Sequence, residues 1–295
     1  INMALNRLAS DTEFNNKKLL DGTYNAKITI GKDAQEFVNL SVNPMDTSSI
    51  GSHEINSAVE MTSLKNDHNN AKDNLNAQFN SNADYEVKGA NGTATVSING
   101  GENAKEVAQR FNLVTGKTGV SASVTTKAKI VGIDTSDHFT FTLQGKDDNA
   151  SVVNATIDDN KNLTTLKDSI NSVSSNTGIV AELTNNNSSI ILTQVEGYNI
   201  VIGDLTSSSS NMVIDAMKKD NAGNFEDNNS PISLAGASNS NDSLAILGQV
   251  TLSSSKAFSI TSGHEDNHFN TSTSAVSSNF VSLSEINLSS QQSSS

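Results

Sequence analysis

Glu106-Val-Ala-Gln-Arg-Phe-Asn-Leu-Val-Thr-Gly-Lys-Thr-Gly-Val-Ser-Ala-Ser-Val124 and Thr165-Leu-Lys-Asp-Ser-Ile-Asn-Ser-Val-Ser-Ser-Asn-Thr-Gly-Ile-Val-Ala-Glu-Leu183 align without a gap. Val107, Asn112, Val114, Thr118, Gly119 and Val120 fall on Leu166, Asn171, Val173, Thr177, Gly178 and Ile179, always 59 positions apart. A single offset held over this many positions indicates duplication. In each copy the apolar residues 107 and 111, or 166 and 170, share a helical face. The Thr-Gly that follows suits a left-handed C-cap, because glycine adopts that conformation without a Cβ clash. A strand then leaves, Val120–Val124 or Ile179–Leu183.

Working outward, Thr93–Ile98 alternates with period two and closes on Asn99-Gly100, and Phe139–Leu143 precedes the second helix. Ile190–Thr193 and Tyr198–Ile202 read as strands after it. The pattern predicts an α+β chain with small β/α modules at about 92–150 and 151–204 and mostly antiparallel sheets. Residues 206–242 read as loop-rich, with Met212–Met217 as a helical turn, and 271–279 as a Ser/Thr linker. Leu247–Leu252 and Ala257–Ile260 read as strands. Toward the N-terminus, Met3, Leu5 and Leu8 suit the last turns of an amphipathic helix that runs out near 10–16. After the turn Asp21-Gly22-Thr23, Ala26–Ile30 and Glu36–Val42 form a predicted β-hairpin ended by Pro44. Apolar residues at 55, 59, 71, 75 and 79 predict a helix over 55–79.

The 295 residues hold 44 Ser, 40 Asn and 25 Thr, no Cys and no Trp, with 19 Lys+Arg against 32 Asp+Glu. Arg7 and Arg110 are the two arginines, so a phosphate-tracking groove lacks its cations, and neither nucleic acid nor an anionic membrane surface is an expected partner. Without Cys there is no disulfide, thiolate metal site or Cys nucleophile. No apolar run reaches the roughly 18 residues of a membrane helix, so no membrane insertion is expected.

One string, His264-Glu265-Asp266-Asn267-His268, formally matches HExxH. In a zinc protease the two histidines share one helix face, while the glutamate activates a water. Here a strand-like run and Gly263 precede it and Asn, Thr and Ser follow, so no long helix is available, and the string reads as a solvated polar loop. Asp158-Asp-Asn160-Lys-Asn162 has the opening of a calcium loop, but Leu163 stands at position six and Ser169 at position twelve, so it reads as a hairpin or helix start. Asp134–Asp137 and residues 147–149 read as acidic turns, and His53, His68 and His138 lack metal-site spacing. No catalytic, cofactor-binding or metal residue is assigned, and no cofactor is expected.

Residues 1–43 resemble bacterial flagellin at the end of its N-terminal rod-domain helix. Arg7, Thr12, Phe14, Asn15, Leu19, Leu20 and Gly22 fall on the family pattern, with Asn16 where the family usually has Gly, and Lys27-Ile-Thr-Ile-Gly31 follows as its strand. Val281–Gln292 is similar to the stretch where flagellins re-enter the rod domain, with Asn287 replacing the usual Asp. The two Thr-Gly-Val/Ile copies are similar to a small motif of flagellin and hook-associated outer domains. The resemblance implies a rod-domain part at 1–52, variable outer domains at 53–269 and a return segment at 270–295. It also implies that heptad-bearing terminal helices flank the stretch, and that the stretch alone does not polymerise. A non-enzymatic subunit of the flagellar filament, extracellular and partnered by other flagellin subunits, is the expected function. The alternatives are an adhesin-like surface that binds polysaccharide or host, for which Tyr24, Tyr85 and Tyr198 are the stacking candidates, and a filament-borne metalloprotease using His264, Glu265 and His268.

Overall fold

The computed structural model describes residues 1–30, 37–59, 61–64, 82–146, 150–184, 186–236, 241–262, 267–269 and 274–286. The chain divides into two compact units: a terminal unit of residues 1–53, 221–224 and 279–295, and a larger unit of 54–220 and 225–278. The fold is α+β, with few short helices and many strands, and every ladder described is antiparallel. No helix among the described residues is long and apolar enough to cross a membrane.

In the terminal unit, helix α1 (Asn2–Asp11) ends where the Thr12 backbone N–H and hydroxyl both donate to Leu8 O, at 3.1 and 2.6 Å. The chain then folds into a two-residue hairpin, β1 (Glu13–Phe14) against β2 (Lys17–Lys18). Its loop residues Asn15 and Asn16 both have positive φ, 49° and 60°, a conformation that Asn tolerates better than other non-glycine residues. This accounts physically for Asn16 at a position where the flagellin pattern has glycine. The expected turn follows, with Thr23 N and Oγ1 donating to Asp21 Oδ1. The expected hairpin is β3 (Asn25–Thr29) against β4 (Phe37–Ser41); residues 31–36 lie outside the described residues. The chain returns through a strand at Asn279–Ser282, after which Leu283 N donates to Ile50 O at 2.8 Å and Ser284 N to Thr47 O at 2.9 Å.

The chain enters the larger unit along β5 (Gly51–Asn56), followed by β6 (Met61–Leu64), strands where the apolar spacing predicted a helix. Four-residue spacing in an Asn-rich background was outweighed by edge-to-edge pairing: β6 forms a ladder with β18 (Ser243–Ile246). Residues 65–81, the rest of that predicted helix, lie outside the described residues.

The duplication is visible in three dimensions. In the first copy, β7 (Ala83–Gly89) and β8 (Gly92–Ile98) lead to α2 (Ala104–Asn112), a helical turn α3 (Thr115–Thr118) and the long β9 (Ser121–Ile133). In the second, β10 (Asp137–Gln144) and β11 (Ser151–Ile157) lead to α4 (Thr164–Ser172), α5 (Ser174–Thr177) and β12 (Ile179–Thr184). Each copy is therefore strand, strand, helix, turn, strand. The counterpart of β8 is β11, and Phe139–Leu143 corresponds to β7.

Both helices bury the predicted face, Val107 with Phe111 and Leu166 with Ile170. Asn103 and Glu106 form a reciprocal capping box on α2. Both turns end on the predicted glycine, Gly119 at φ 75° and Gly178 at φ 69°. In both copies the preceding Thr hydroxyl accepts from the first strand residue, Val120 N to Thr118 and Ile179 N to Thr177. A glycine in the preceding strand region, Gly89 or Gly145, lets the carbonyl of that Thr approach where a Cβ would overlap it.

Among the described residues, two large apolar cores form beside a small cluster of Val201, Ala245 and Leu247. One gathers Tyr85, Val87, Ile98, Phe111, Val250 and Phe269 around α2. The other gathers Ile130, Phe139, Phe141, Leu166, Ile190 and Ile214 around α4. Strand β9 serves both, pairing through 121–125 with β19 (Gln249–Ser254), through 126–130 with β13 (Ser189–Gln194), and beyond Ala128 with β15 (Asn211–Lys219). The last strand corrects the reading of 206–242 as loop. Met212, Ile214 and Ala216 alternate inward with period two, and Asp215, buried on the other face, accepts from Asn229 N and Ser230 N. No helical turn forms at Met212–Met217, because β9 and β17 (Ile232–Ala235) pair along it.

Candidate functional site

Among the described residues, those that carried chemical suspicion do not assemble into a catalytic group. His264, Glu265 and Asp266 lie outside the described residues. Asn267–Phe269 form a single 3₁₀ turn. His268 is 5% exposed, and its carbonyl accepts from Ala58 N at 2.7 Å, so at this end the string is core and not solvated loop. The cause is its neighbour: the Phe269 ring sits edge-on to Tyr85 and Phe111 at 5.5 and 5.7 Å between centroids, and carries the chain inward. No group of three metal-ligating residues occurs among the described residues.

The other candidates resolve into local turn chemistry. Asp159 Oδ1 accepts from Lys161 N, and Asn162 Oδ1 from Thr164 N and Oγ1, so these oxygens build local turns in the segment that leads into α4, whose N-cap residue is Leu163. Ser209 N and His138 N donate to the Asp137 carboxylate and hold its pKa below the usual value. His53 lies beside Phe280, and His138 Nδ1 is 2.9 Å from Thr156 Oγ1; His68 lies outside the described residues. Burial pushes the Lys127 ammonium down, with Glu182 opposing, and its neighbour is the Phe225 ring at 4.5 Å, a packing environment. Of the stacking candidates, Tyr85 is fully buried and the Tyr198 ring carries the Lys105 ammonium at 4.0 Å.

What stands out instead is an apolar surface on the terminal unit, which sequence reasoning identified as a hairpin without seeing its exposure. By the register of β3 and β4, Ala26, Ile28, Ile30, Val38 and Leu40 project from one face, and Ile28 and Val38 are directly paired. Their exposures of 49, 52, 49 and 47% for Ile28, Ile30, Val38 and Leu40 leave that face half open to water. The opposite face holds Phe37 beneath the Lys27 ammonium, 3.5 Å from the ring centroid. Met3 and Leu8 of α1 and Phe14 of β1 are more exposed still. An isolated two-stranded hairpin is marginal in water, and one that presents an apolar face is built to be covered. The chemistry available here is association through apolar contact.

No protein-family model matches the sequence, and no curated protein matches it. Among solved structures, the chain is similar to the flagellar cap protein FliD from Helicobacter pylori, at 13% identity, over 78% of this chain and 87% of that one, with a TM-score of 0.22.

Proposed function

We propose that the chain is the outer, surface-exposed part of a bacterial flagellin, a structural subunit of the flagellar filament with no catalytic role, displayed outside the cell and partnered by other flagellin subunits. The observation that carries the reading is the half-exposed apolar face of the β3–β4 hairpin, which lies within the flagellin-like stretch 1–43. The N-terminal flagellin-like stretch and the start of the C-terminal one also belong to the same compact unit, tied by the Leu283–Ile50 and Ser284–Thr47 bonds. Both features suit a subunit whose two flagellin-like segments lie together in one unit that other subunits cover.

The test uses the complete gene product. Purified and seeded, it polymerises into filaments visible by electron microscopy, whereas the 295-residue chain alone stays unpolymerised. Val38→Asp combined with Leu40→Asp, which charges the apolar face, abolishes filament growth. Normal filaments from that variant, or filaments from the 295-residue chain alone, contradict the proposal.

A further inference from the structure

We propose that Asn112 and Asn171 are edge guards, side chains that occupy the free edges of β9 and β12 and close them to strand pairing with a second copy of the chain. The two residues are equivalent by the duplication, and their contacts are equivalent to within the precision of a hydrogen bond. Asn112 Nδ2 donates to Ala122 O at 2.9 Å while its Oδ1 accepts from Ala122 N at 2.8 Å. Asn171 Nδ2 donates to Ala181 O at 2.9 Å while its Oδ1 accepts from Ala181 N at 2.8 Å. A primary amide presents one donor and one acceptor side by side, as a peptide unit does, so each Asn makes the two bonds that a residue of a neighbouring antiparallel strand makes.

The place matters as much as the geometry. Among the described residues, β12 is the outermost strand of its sheet, paired on one side with β13. Over 121–125, β9 is paired with β19, and among the described residues no strand pairs with its other edge there. In both copies the next outward N–H is also taken, Val120 by the Thr118 hydroxyl and Ile179 by the Thr177 hydroxyl. An edge strand with unpaired N–H and C=O groups is a template for another chain, and one with exposed apolar residues such as Val180, at 48%, is a strong one. Here the helix that precedes each strand supplies the missing partner. Leu, Gln or Ser at these positions would not reproduce the two bonds, because only Asn places an amide at this distance from the helix backbone.

The experiment compares the chain with Asn171→Ala, reading the exchange of the Ala181 amide hydrogen by NMR and the mass by light scattering over a concentration series. The variant exchanges Ala181 at least about tenfold faster in dilute solution and forms a concentration-dependent dimer that the parent does not. Adding Val180→Lys, which places a charge on the opened edge, returns the variant to the parent's mass while Ala181 stays fast. A folded Asn171→Ala protein with the parent's mass at every concentration overturns the proposal, as does a dimer that Val180→Lys leaves unchanged. Asn112→Ala repeats the test on β9. If both alanine variants fail to fold, the amides are structural clips and the guard role is refuted.

Discussion

Replacing Phe269 by Ala tests whether the end of the HExxH-like string is core. The ring is fully buried and contacts two other buried rings edge-on, Tyr85 and Phe111, which are themselves 6.0 Å apart. Removing it from this triangle leaves a cavity lined by aromatic edges within the core that also holds Val87, Ile98 and Ile260. Phe→Ala in a core costs about 3–5 kcal/mol, and the loss of two edge-on ring pairs places this site in the upper part of that range. For a folded unit of this size each kcal/mol lowers Tm by about 2–4 °C, so the expected fall is about 8–20 °C. Thermal unfolding followed by circular dichroism at fixed pH measures it. A fall of less than about 3 °C would show that residues 268–269 are held loosely, and the reassignment of this end of the string from solvated loop to core would fail.

Other outcomes follow from single residues. Gly178→Ala and Gly119→Ala each place a Cβ at a positive-φ C-cap, and urea unfolding should show each destabilising by about 1–2 kcal/mol, with similar values because the sites are duplicates. Asn16→Gly relieves a left-handed residue in the β1–β2 loop, and chemical denaturation should show a gain of a few tenths to about 1 kcal/mol in the terminal unit. Asp137 is depressed below its ordinary value of 3.8 by bonds from Ser209 N and His138 N. A depressed carboxylate contributes stability above that value and loses it as pH falls below it. Asp137→Asn should therefore be less stable than the parent at pH 7, with the gap closing in pH titrations of Tm that pass below about 4; a gap that does not change with pH would contradict the assignment.

The duplicated modules were legible because their information is local. A helix face at 107 and 111, a Thr-Gly cap and a β-branched exit need only a few neighbouring residues, and the second copy repeats them at one offset. The same holds for the N-terminal hairpin. Strands β5, β6 and β15 were not legible for the opposite reason. Ile55 and Met212 carry spacing compatible with a helix, and what decides these segments is pairing with strands far along the chain: β5 with β19, β6 with β18, and β15 with β9 and β17. Sequence pattern picks out only one strand before each helix, Thr93–Ile98 in the first copy and Phe139–Leu143 in the second; it leaves out β7 and β11, and Ser151–Ile157 has no aromatic residue to mark it. At the site level, 134–137 and 158–162 are turns as read and 147–149 lie outside the described residues, whereas the burial of His268 depended on where Phe269 goes. Asn112 and Asn171 were visible as matched letters, but their role required the adjacent strand edge.

The proposal that this chain is part of the subunit that makes up the flagellar filament is tested most directly by antibodies raised against the purified 295-residue chain and visualised with gold on intact cells. Label along the whole length of every flagellar filament is the expected result; label confined to the filament tip, or absent from flagella, would contradict the proposal.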